Sequence, residues 1–265
     1  LPGPKADGAV TRAQFDTSGQ FLTVITPTGA TLAPRNGTSA SPAKINGQFV
    51  AVAPELANER FRYAAVRGNT IAHRLLPTAF VANPPKAKGF AFPGVKDEVT
   101  PLGVTADPPR PANLTFLAWG PGARLFAGAP DGTITTWSAA MKPEPASREH
   151  KAAVRAWAHS AAGDLLTGDD KGQVALWPTK GGKPTADAVF TVPVAALAFA
   201  PSGAKFAAAD NTGWLAVVES STLKVLQRKK LPASVKALTF GPKDDVLLLG
   251  NGKTVEVWAL AELMK

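Results

Sequence analysis

The chain has 265 residues, of which 45% are hydrophobic, and its formal net charge is +9. It contains no cysteine, which excludes disulfides and thiolate chemistry, and no apolar run approaches the roughly 18 residues that span a membrane. This size and composition predict a single globular domain, residues 1–265, with a sizeable core.

The first predicted elements are two weak repeats. Residues 10–15, a Ser18-Gly19 turn and Leu22 form the first of them. The second contains three short runs, at residues 48–54, 62–66 and 69–72. Apolar and polar residues alternate in these runs, and Pro or Gly bounds them, which is typical of half-buried strands.

The next stretch, residues 77–111, does not fit the repeat. Eight of the 24 prolines fall in these 35 residues. Two interpretations remain open: an irregular insertion, or a shrunken extra repeat built on residues 89–92 and 98–104. Its apolar side chains, Phe90 and Phe92 among them, argue against disorder, and long loops in compact domains are usually functional. We therefore predict that it packs on the domain and forms part of a binding surface.

Four clear repeats follow, at residues 114–137, 154–177, 194–218 and 235–258. Their last residues, at 137, 177, 218 and 258, are separated by 40, 41 and 40 residues. Each repeat has an alternating strand, a Pro/Gly turn, a second strand, a tight turn such as Asp131-Gly132, and a third strand. A period of this length is the signature of a repeat architecture.

The roughly 15 residues before the next repeat are enough for a loop and an outer fourth strand. Four short antiparallel strands in about 40 residues describe one propeller blade. The chain resembles the WD-repeat β-propeller family through Asp131-Gly132 and through Trp137, Trp177 and Trp258, which close third strands. The resemblance covers six repeats and implies an all-β propeller of four-stranded antiparallel blades, six or seven in number. The equal spacing predicts that the three tryptophans occupy equivalent, mostly buried places.

The chain departs from the family pattern in two respects. None of these tryptophans is followed by Asp, and Val218 replaces the fourth. The family often has a buried tetrad of His, Ser or Thr, Asp and Trp. Three positions of such a tetrad match in one repeat: His150, Thr167 and Trp177. Lys171 stands where its Asp is expected, and Ala127 replaces the hydroxyl in another repeat, so we expect packing to hold the blades together.

Enzyme chemistry has little support in the sequence. The histidines His73, His150 and His159 fall at positions typical of packed, structural and strand-end residues. There is no Gly-x-Ser-x-Gly elbow, and residues 169–172 lack the alternating oxygen ligands of a calcium loop. We predict a non-enzymatic interaction scaffold with no cofactor and no metal. The alternative is a propeller enzyme or small-ligand sensor with a site in the central channel.

The candidate binding residues follow from the repeat. The position after the first apolar residue of each innermost strand carries Thr115, Arg155 and Lys236 in three of the repeats. The two cations are expected near the central opening, where they would suit an acidic group of a protein partner. The predicted site consists of Thr115, Arg155, Lys236, Phe90 and Phe92. The partner is a separate protein with an acidic patch, or a neighbouring domain of the same polypeptide.

The densest basic run, Arg228-Lys229-Lys230, falls on a predicted outer strand. Lysine on a sheet edge discourages aggregation, and we favour this explanation over nucleic-acid binding, because the tryptophans sit mostly at core positions.

The ends of the chain carry two further expectations. Only seven residues follow Trp258, so residues 1–10 are predicted to complete the last blade. The chain begins at Leu1 rather than Met, which fits a processed exported protein or an excised domain. The high content of Ala, Pro and Gly is typical of a bacterial protein from a GC-rich genome.

Overall fold

The computed structural model describes residues 12–15, 21–26, 28–34, 43–46, 48–55, 60–67, 70–77, 98–101, 114–179, 182–241, 243–251 and 254–264. The chain divides into two compact units, Leu1–Trp119 and Gly120–Lys265. Strands dominate both of them. In the described residues the single α-helix is one turn, α1 (Leu260–Leu263). The single domain predicted for residues 1–265 stays a prediction.

The first unit contains two four-stranded antiparallel sheets, each with its strands in sequence order. The strands of the first sheet are β1 (Arg12–Phe15), β2 (Phe21–Thr26), β3 (Gly29–Pro34) and β4 (Ala43–Asn46). Those of the second are β5 (Gln48–Glu55), β6 (Arg60–Arg67), β7 (Thr70–Pro77) and β8 (Glu98–Pro101). The two weak repeats are therefore confirmed as sheets. β9 (Phe116–Gly120) follows and runs up to the boundary between the units.

The proline-rich stretch contributes a strand to the second sheet. β8 pairs with β7, from Thr70 opposite Pro101 to His73 opposite Glu98. Part of the stretch considered for an extra repeat is thus the outer strand of an existing sheet. Proline is tolerated on an edge strand because the N–H that it lacks would face away from the ladder. Phe90 and Phe92 lie outside the described residues.

The second unit contains a hairpin and three further antiparallel sheets in sequence order. The hairpin consists of β10 (Arg124–Gly128) and β11 (Ile134–Trp137). The next two sheets are β12 (Val154–His159), β13 (Leu165–Asp169), β14 (Gln173–Trp177), β15 (Thr185–Ala188), then β16 (Val194–Phe199), β17 (Lys205–Asp210), β18 (Trp214–Glu219) and β19 (Val225–Lys230). The last is β20 (Ala237–Phe240), β21 (Val246–Gly250) and β22 (Val255–Ala259). Their first strands touch in turn, since β16 contacts both β12 and β20.

The strand register repeats from sheet to sheet. Four cross-strand pairs fall at the same place: Leu125–Trp137, Leu165–Trp177, Phe206–Val218 and Leu247–Trp258. Trp137 is 1% exposed, Trp177 is 6% exposed, and Trp258 is partly buried against the core. The predicted equivalence of the three tryptophans is confirmed, and none of them is fully exposed.

The core lies between neighbouring sheets, so the middle strands are buried on both faces. In β17 every residue from Phe206 to Asp210 is buried. One apolar cluster joins the β12–β15 and β16–β19 sheets and includes Leu166, Phe190 and Val218. A sheet covered on both faces needs a continuous apolar run in its middle strands rather than strict alternation.

The tight turn between β13 and β14 depends on a glycine. Gly172 has a φ of +83°, a left-handed conformation that side chains disfavour. A Cβ at this position would lie 2.3 Å from the carbonyl oxygen of Phe190. The Gly172 carbonyl also accepts hydrogen bonds from the backbone N–H groups of Val189 and Phe190, each at 3.0 Å. The turn is therefore fastened to the segment that follows β15.

The last sheet has three strands within the described residues. After β22 the chain forms α1, whose Leu260 and Leu263 are buried and which contacts β22 and β19. On β22, Val255 is 69% exposed and Val257 is 66% exposed. The fourth strand predicted for this sheet, from residues 1–10, lies outside the described residues and stays a prediction.

Candidate functional site

Arg155 is placed by an irregularity at the start of β12. Val154 pairs with Asp169 and Ala156 pairs with Gly168, so Arg155 is an extra residue with no partner in the ladder. An extra residue of this kind bends the strand locally and redirects its side chain, which is why bulges are frequent next to functional sites. The Arg155 side chain is exposed.

Lys236 occupies the matching place before β20. Its backbone N–H donates to the carbonyl oxygen of Gly250 at 2.8 Å, and the next residue, Ala237, pairs with Gly250. In the sheet between, the same place is taken by Ala195, at a similar register shift in β16. Lys236 is exposed. The two predicted cations therefore lie on equivalent positions of the first strands, with a small residue between them.

The Arg155 guanidinium is held by a neighbouring carboxylate. Its Nε donates to Asp170 Oδ1 at 3.0 Å and to Oδ2 at 2.8 Å. The Arg155 side chain is 62% exposed, and that of Asp170 is 32% exposed. An exposed ion pair of this kind contributes at most about 1 kcal/mol. The ion pair orients the guanidinium but leaves it accessible to a ligand that binds more strongly.

The other predicted site residues are not brought to these cations by the described structure. Thr115 belongs to the first unit, is half-buried, and precedes β9. No hydrogen-bond partner for its Oγ1 lies among the described residues. Phe90 and Phe92 lie outside those residues. The role of these three in a binding site stays a prediction.

A complete buried tetrad links the strands of the β12–β15 sheet. Thr167 Oγ1 lies 2.7 Å from His150 Nε2 and accepts a hydrogen bond from Trp177 Nε1 at 2.8 Å. His150 Nδ1 lies 3.4 Å from Asp169 Oδ2, and both of these side chains are fully buried. The expectation that Lys171 takes the place of the acid is wrong. Asp169, two residues earlier and at the end of β13, supplies it.

The chemistry of the four groups sets the direction of the hydrogen bonds. An indole N–H can only donate and a carboxylate can only accept. Trp177 therefore donates to Thr167, the Thr167 hydroxyl donates to His150 Nε2, and His150 Nδ1–H faces Asp169 as a longer electrostatic contact. The four side chains thus form a buried structural cluster, and His150 has the structural role predicted for it.

The pKa of Asp169 is set by opposing effects. Burial raises it, but the facing His150 ring and the hydrogen bonds from the backbone N–H groups of Gln173 and Lys171, both 2.9 Å, outweigh burial. The net result is a pKa below the ordinary value of 3.8. Because the folded state holds the proton less tightly than the unfolded chain, ionised Asp169 stabilises the fold above the ordinary pKa. That contribution is lost as pH falls through the lowered value.

We predict that Asp169→Asn flattens the acid side of the stability curve. The variant is less stable at neutral pH, because a neutral amide replaces the carboxylate facing His150. It loses less stability than the unsubstituted chain as the pH falls below the ordinary Asp value of 3.8. Urea unfolding measured at a series of pH values checks this. Asp187→Asn, on exposed β15, controls for the loss of one charge, and parallel curves for the Asp169 variant and the unsubstituted chain would contradict it.

The hairpin β10–β11 lacks the hydroxyl of the tetrad. Ala127 occupies the place of Thr167, and no acceptor among the described residues reaches the buried Nε1 of Trp137. The absence of polar cohesion predicted for this repeat is therefore confirmed for its tryptophan. A buried donor without a partner costs about 1–3 kcal/mol.

We predict that Ala127→Ser stabilises the fold by about 1 kcal/mol, because the new hydroxyl can accept from Trp137 Nε1. The matched control is Ala208→Ser, at the equivalent place in β17, whose sheet has Val218 in the place of the tryptophan and therefore no indole N–H to donate. That control buries an unpartnered hydroxyl and is expected to destabilise. Thermal unfolding of the two variants decides the matter, and an equal loss of stability in both would show that the hydroxyl does not reach the indole.

The histidines outside the tetrad have different surroundings. His73 is a buried residue of β7, at 8% exposure, and His159 is the last residue of β12 and is exposed. In the part of the chain that the structure describes, no group of three His, Asp or Glu side chains is placed to hold a metal ion. The same residues include no helix long and apolar enough to cross a membrane.

Comparison with known proteins gives structural likeness alone. Neither a family model nor a curated protein sequence matches the chain. The structure of Hsv2 from Kluyvelomyces marxianus matches with a TM-score of 0.60 and 11% identity, over 95% of this chain and 76% of that one. A chain of the mitotic checkpoint complex matches with a TM-score of 0.63 and 16% identity, over 94% and 76%. These likenesses support a β-propeller fold. At such identities they support the fold and nothing further. The number of blades, six or seven, stays a prediction.

Proposed function

We propose that this propeller is a non-enzymatic interaction module that binds an acidic group of a protein partner at the ends of its first strands. The observation that carries the proposal is that Arg155 in β12 and Lys236 directly before β20 occupy equivalent places in two repeats. Both side chains are exposed. The partner is a separate protein or a neighbouring domain of the same polypeptide.

The geometry suits a carboxylate ligand. The first strands β12, β16 and β20 touch in turn, so the two cations are separated by one strand that carries Ala195 at the same place. A small residue between two cations leaves room for an incoming side chain or chain terminus. Complementary charge of this kind speeds association and selects the partner. The Asp170 carboxylate already shows how an acid meets Arg155.

The similar structures agree with an interaction role. One of them was solved as the mitotic checkpoint complex, which is an assembly. Loops and strand ends on a rigid scaffold are where recognition residues concentrate. The alternative function, an enzyme or small-ligand sensor with a channel site, has no specific observation in its favour among the described residues.

The binding experiment compares three forms of the chain as bait in cross-linked capture from the source organism. Arg155→Gln/Lys236→Gln is the test variant, and Lys224→Gln/Lys243→Gln, at exposed lysines elsewhere, is the charge-matched control. We expect the control to retain the captured proteins and the test variant to lose them. Identical sets from all three forms would exclude this site. A small-molecule thermal shift that only the test variant abolishes would support the channel alternative.

We also propose that the proline-rich segment contributes to the partner surface, together with Thr115. Because residues 98–101 form β8, the informative change replaces residues 78–97 with a short Gly-Ser linker and leaves β8 in place. We expect unchanged thermal stability and at least about tenfold weaker partner binding, as for a lost contact of about 1.4 kcal/mol. Unchanged binding would remove the segment from the interface, and unfolding would give it a structural role instead.

A further inference from the structure

A basic sheet edge lies apart from the proposed site. We call Arg228, Lys229 and Lys230 of β19 the basic edge. β19 is the last strand of its sheet, with β18 on one side, and no strand of the described part of the chain pairs with its other side. An unpaired strand presents backbone N–H and C=O groups to any extended segment that approaches.

The backbone of the basic edge has N–H donors that face away from β18. The N–H of Arg228 is hydrogen-bonded to the side-chain oxygen of Gln227, at 3.1 Å, and so it is not part of the ladder with β18. A side-chain cap of this kind satisfies an outward-facing donor, and an incoming carbonyl can replace it. Because neighbours two apart in a regular strand face the same way, the donor of Lys230 faces outward as well.

The three cations are fixed in place by neutral groups. Arg228 Cζ lies 5.9 Å from the centre of the Phe190 ring, Lys229 Nζ lies 4.8 Å from that of Trp258, and Lys230 Nζ lies 5.5 Å from that of Trp214. Arg228 also donates to the carbonyl of Val189, and Lys230 to that of Thr212. Within the described residues no carboxylate forms an ion pair with any of the three, so their charge is not neutralised.

These contacts distinguish between the partners that could bind the basic edge. The three rings each have a cation over them, so they are not open platforms for nucleic-acid bases, which single-strand binding requires. A second copy of this strand would bring cations against cations, which destabilises cross-strand pairs. An extended acidic segment meets neither objection. Its backbone pairs with the outward groups, and its carboxylates lie opposite Arg228 and Lys230.

We propose that the basic edge binds an extended, acidic peptide segment of a partner protein, which adds to β19 as a fifth strand. Addition to a sheet edge is a general mode of peptide recognition, in which the main chain supplies affinity and the side chains supply specificity. Opposite charges on adjacent strands add to the pairing. This surface does not involve Arg155 or Lys236, so the proposal stands or fails separately from the site on the first strands.

The test uses two labelled peptides of about ten residues, one alternating Glu and Val and one alternating Glu and Pro. They carry the same charge, but proline lacks the backbone N–H needed for strand pairing. In fluorescence anisotropy we expect the Glu-Val peptide to bind and the Glu-Pro peptide to bind at least about tenfold more weakly. The amide of Arg228 should become protected from hydrogen exchange when the Glu-Val peptide is bound.

The variants test the basic edge itself. Arg228→Gln/Lys229→Gln/Lys230→Gln should weaken Glu-Val binding about tenfold, whereas the charge-matched Lys142→Gln/Lys151→Gln/Lys183→Gln, at exposed lysines elsewhere, should leave it unchanged. Equal binding of the two peptides would overturn the proposal, because charge alone would explain it. Tighter binding of an oligothymidine or of phosphatidylserine vesicles than of the Glu-Val peptide would also overturn it. Protection of the Arg228 amide decides the question if the triple variant does not fold.

Discussion

Gly172→Ala is expected to destabilise the second unit by about 2–5 kcal/mol. The left-handed backbone costs about 1–2 kcal/mol for a residue with a Cβ, and forcing atoms into a packed site costs about 1–3 kcal/mol more. Here the Cβ would stand 2.3 Å from a backbone oxygen, that of Phe190, which cannot rotate away as a side chain can. The two hydrogen bonds that fasten the turn to the following segment would be strained at the same time.

The matched control is Gly203→Ala. Gly203 also has a positive φ, +73°, but nothing lies within 4 Å of its Cβ position. It therefore carries the backbone penalty alone, about 1–2 kcal/mol. Urea unfolding of both variants measures the difference. Equal losses would show that the segment after β15 moves aside and that the close approach has no energetic weight.

Trp137→Ala is expected to cost about 3–5 kcal/mol, the usual range for a large aromatic removed from a core. Trp137 is 1% exposed and stands opposite Leu125, in the place that Trp177 and Trp258 take in other sheets. Trp177→Ala should cost a similar amount, because it also removes the indole that donates to Thr167. Trp258→Ala should cost less, because this side chain is partly exposed.

Trp214→Ala provides the comparison at the surface. This ring is 41% exposed and begins β18 rather than ending a third strand. Its removal is expected to change the free energy of unfolding by less than about 1 kcal/mol. Thermal unfolding of the four tryptophan variants should rank them by burial. A melting temperature unchanged by Trp137→Ala would mean that the repeat register is wrong for that hairpin.

The strands were accessible from sequence because their signal is periodic. A spacing of 40 or 41 residues puts residues of the same type at equivalent positions of successive repeats. The strand register confirms this for Trp137, Trp177 and Trp258. Even the two weak repeats could be located, since alternation survives the loss of the aromatic signal. The same reasoning placed Arg228-Lys229-Lys230 on an outer strand, which is β19.

The acid of the tetrad was missed because one repeat served as the template for another. Asp131 lies 40 residues before Lys171, and the alignment put the acid there. The structure instead uses the last residue of β13, Asp169, and the residue at the same place in β17, Asp210, accepts backbone N–H groups of its own turn. A search for Asp at second-strand ends would have found both.

The candidate site was predictable in residue type and not in geometry. Spacing alone placed Arg155 and Lys236 at equivalent positions, but the extra residue in β12 is a feature of backbone pairing that letters do not show. Residues 169–172 were considered and rejected as a calcium loop, and the ion pair of Asp170 with Arg155 depends on that backbone bend. The run that forms β8 was considered for an extra repeat and not for the existing sheet, because the proline within it argues against a regular ladder strand.

The buried tetrad has a consequence for how the second unit reaches its fold. In an array of repeats, stability is approximately a sum over the repeats and their interfaces, and folding starts where that sum is locally highest. Among the described sheets, β12–β15 is the one held by a complete tetrad, and it packs against a neighbour on each side, through the Phe126–Trp177 and Phe190 contacts. This sheet is the expected nucleus, onto which repeats with eroded sequences assemble. A chain with one such nucleus can tolerate sequence divergence in its other repeats.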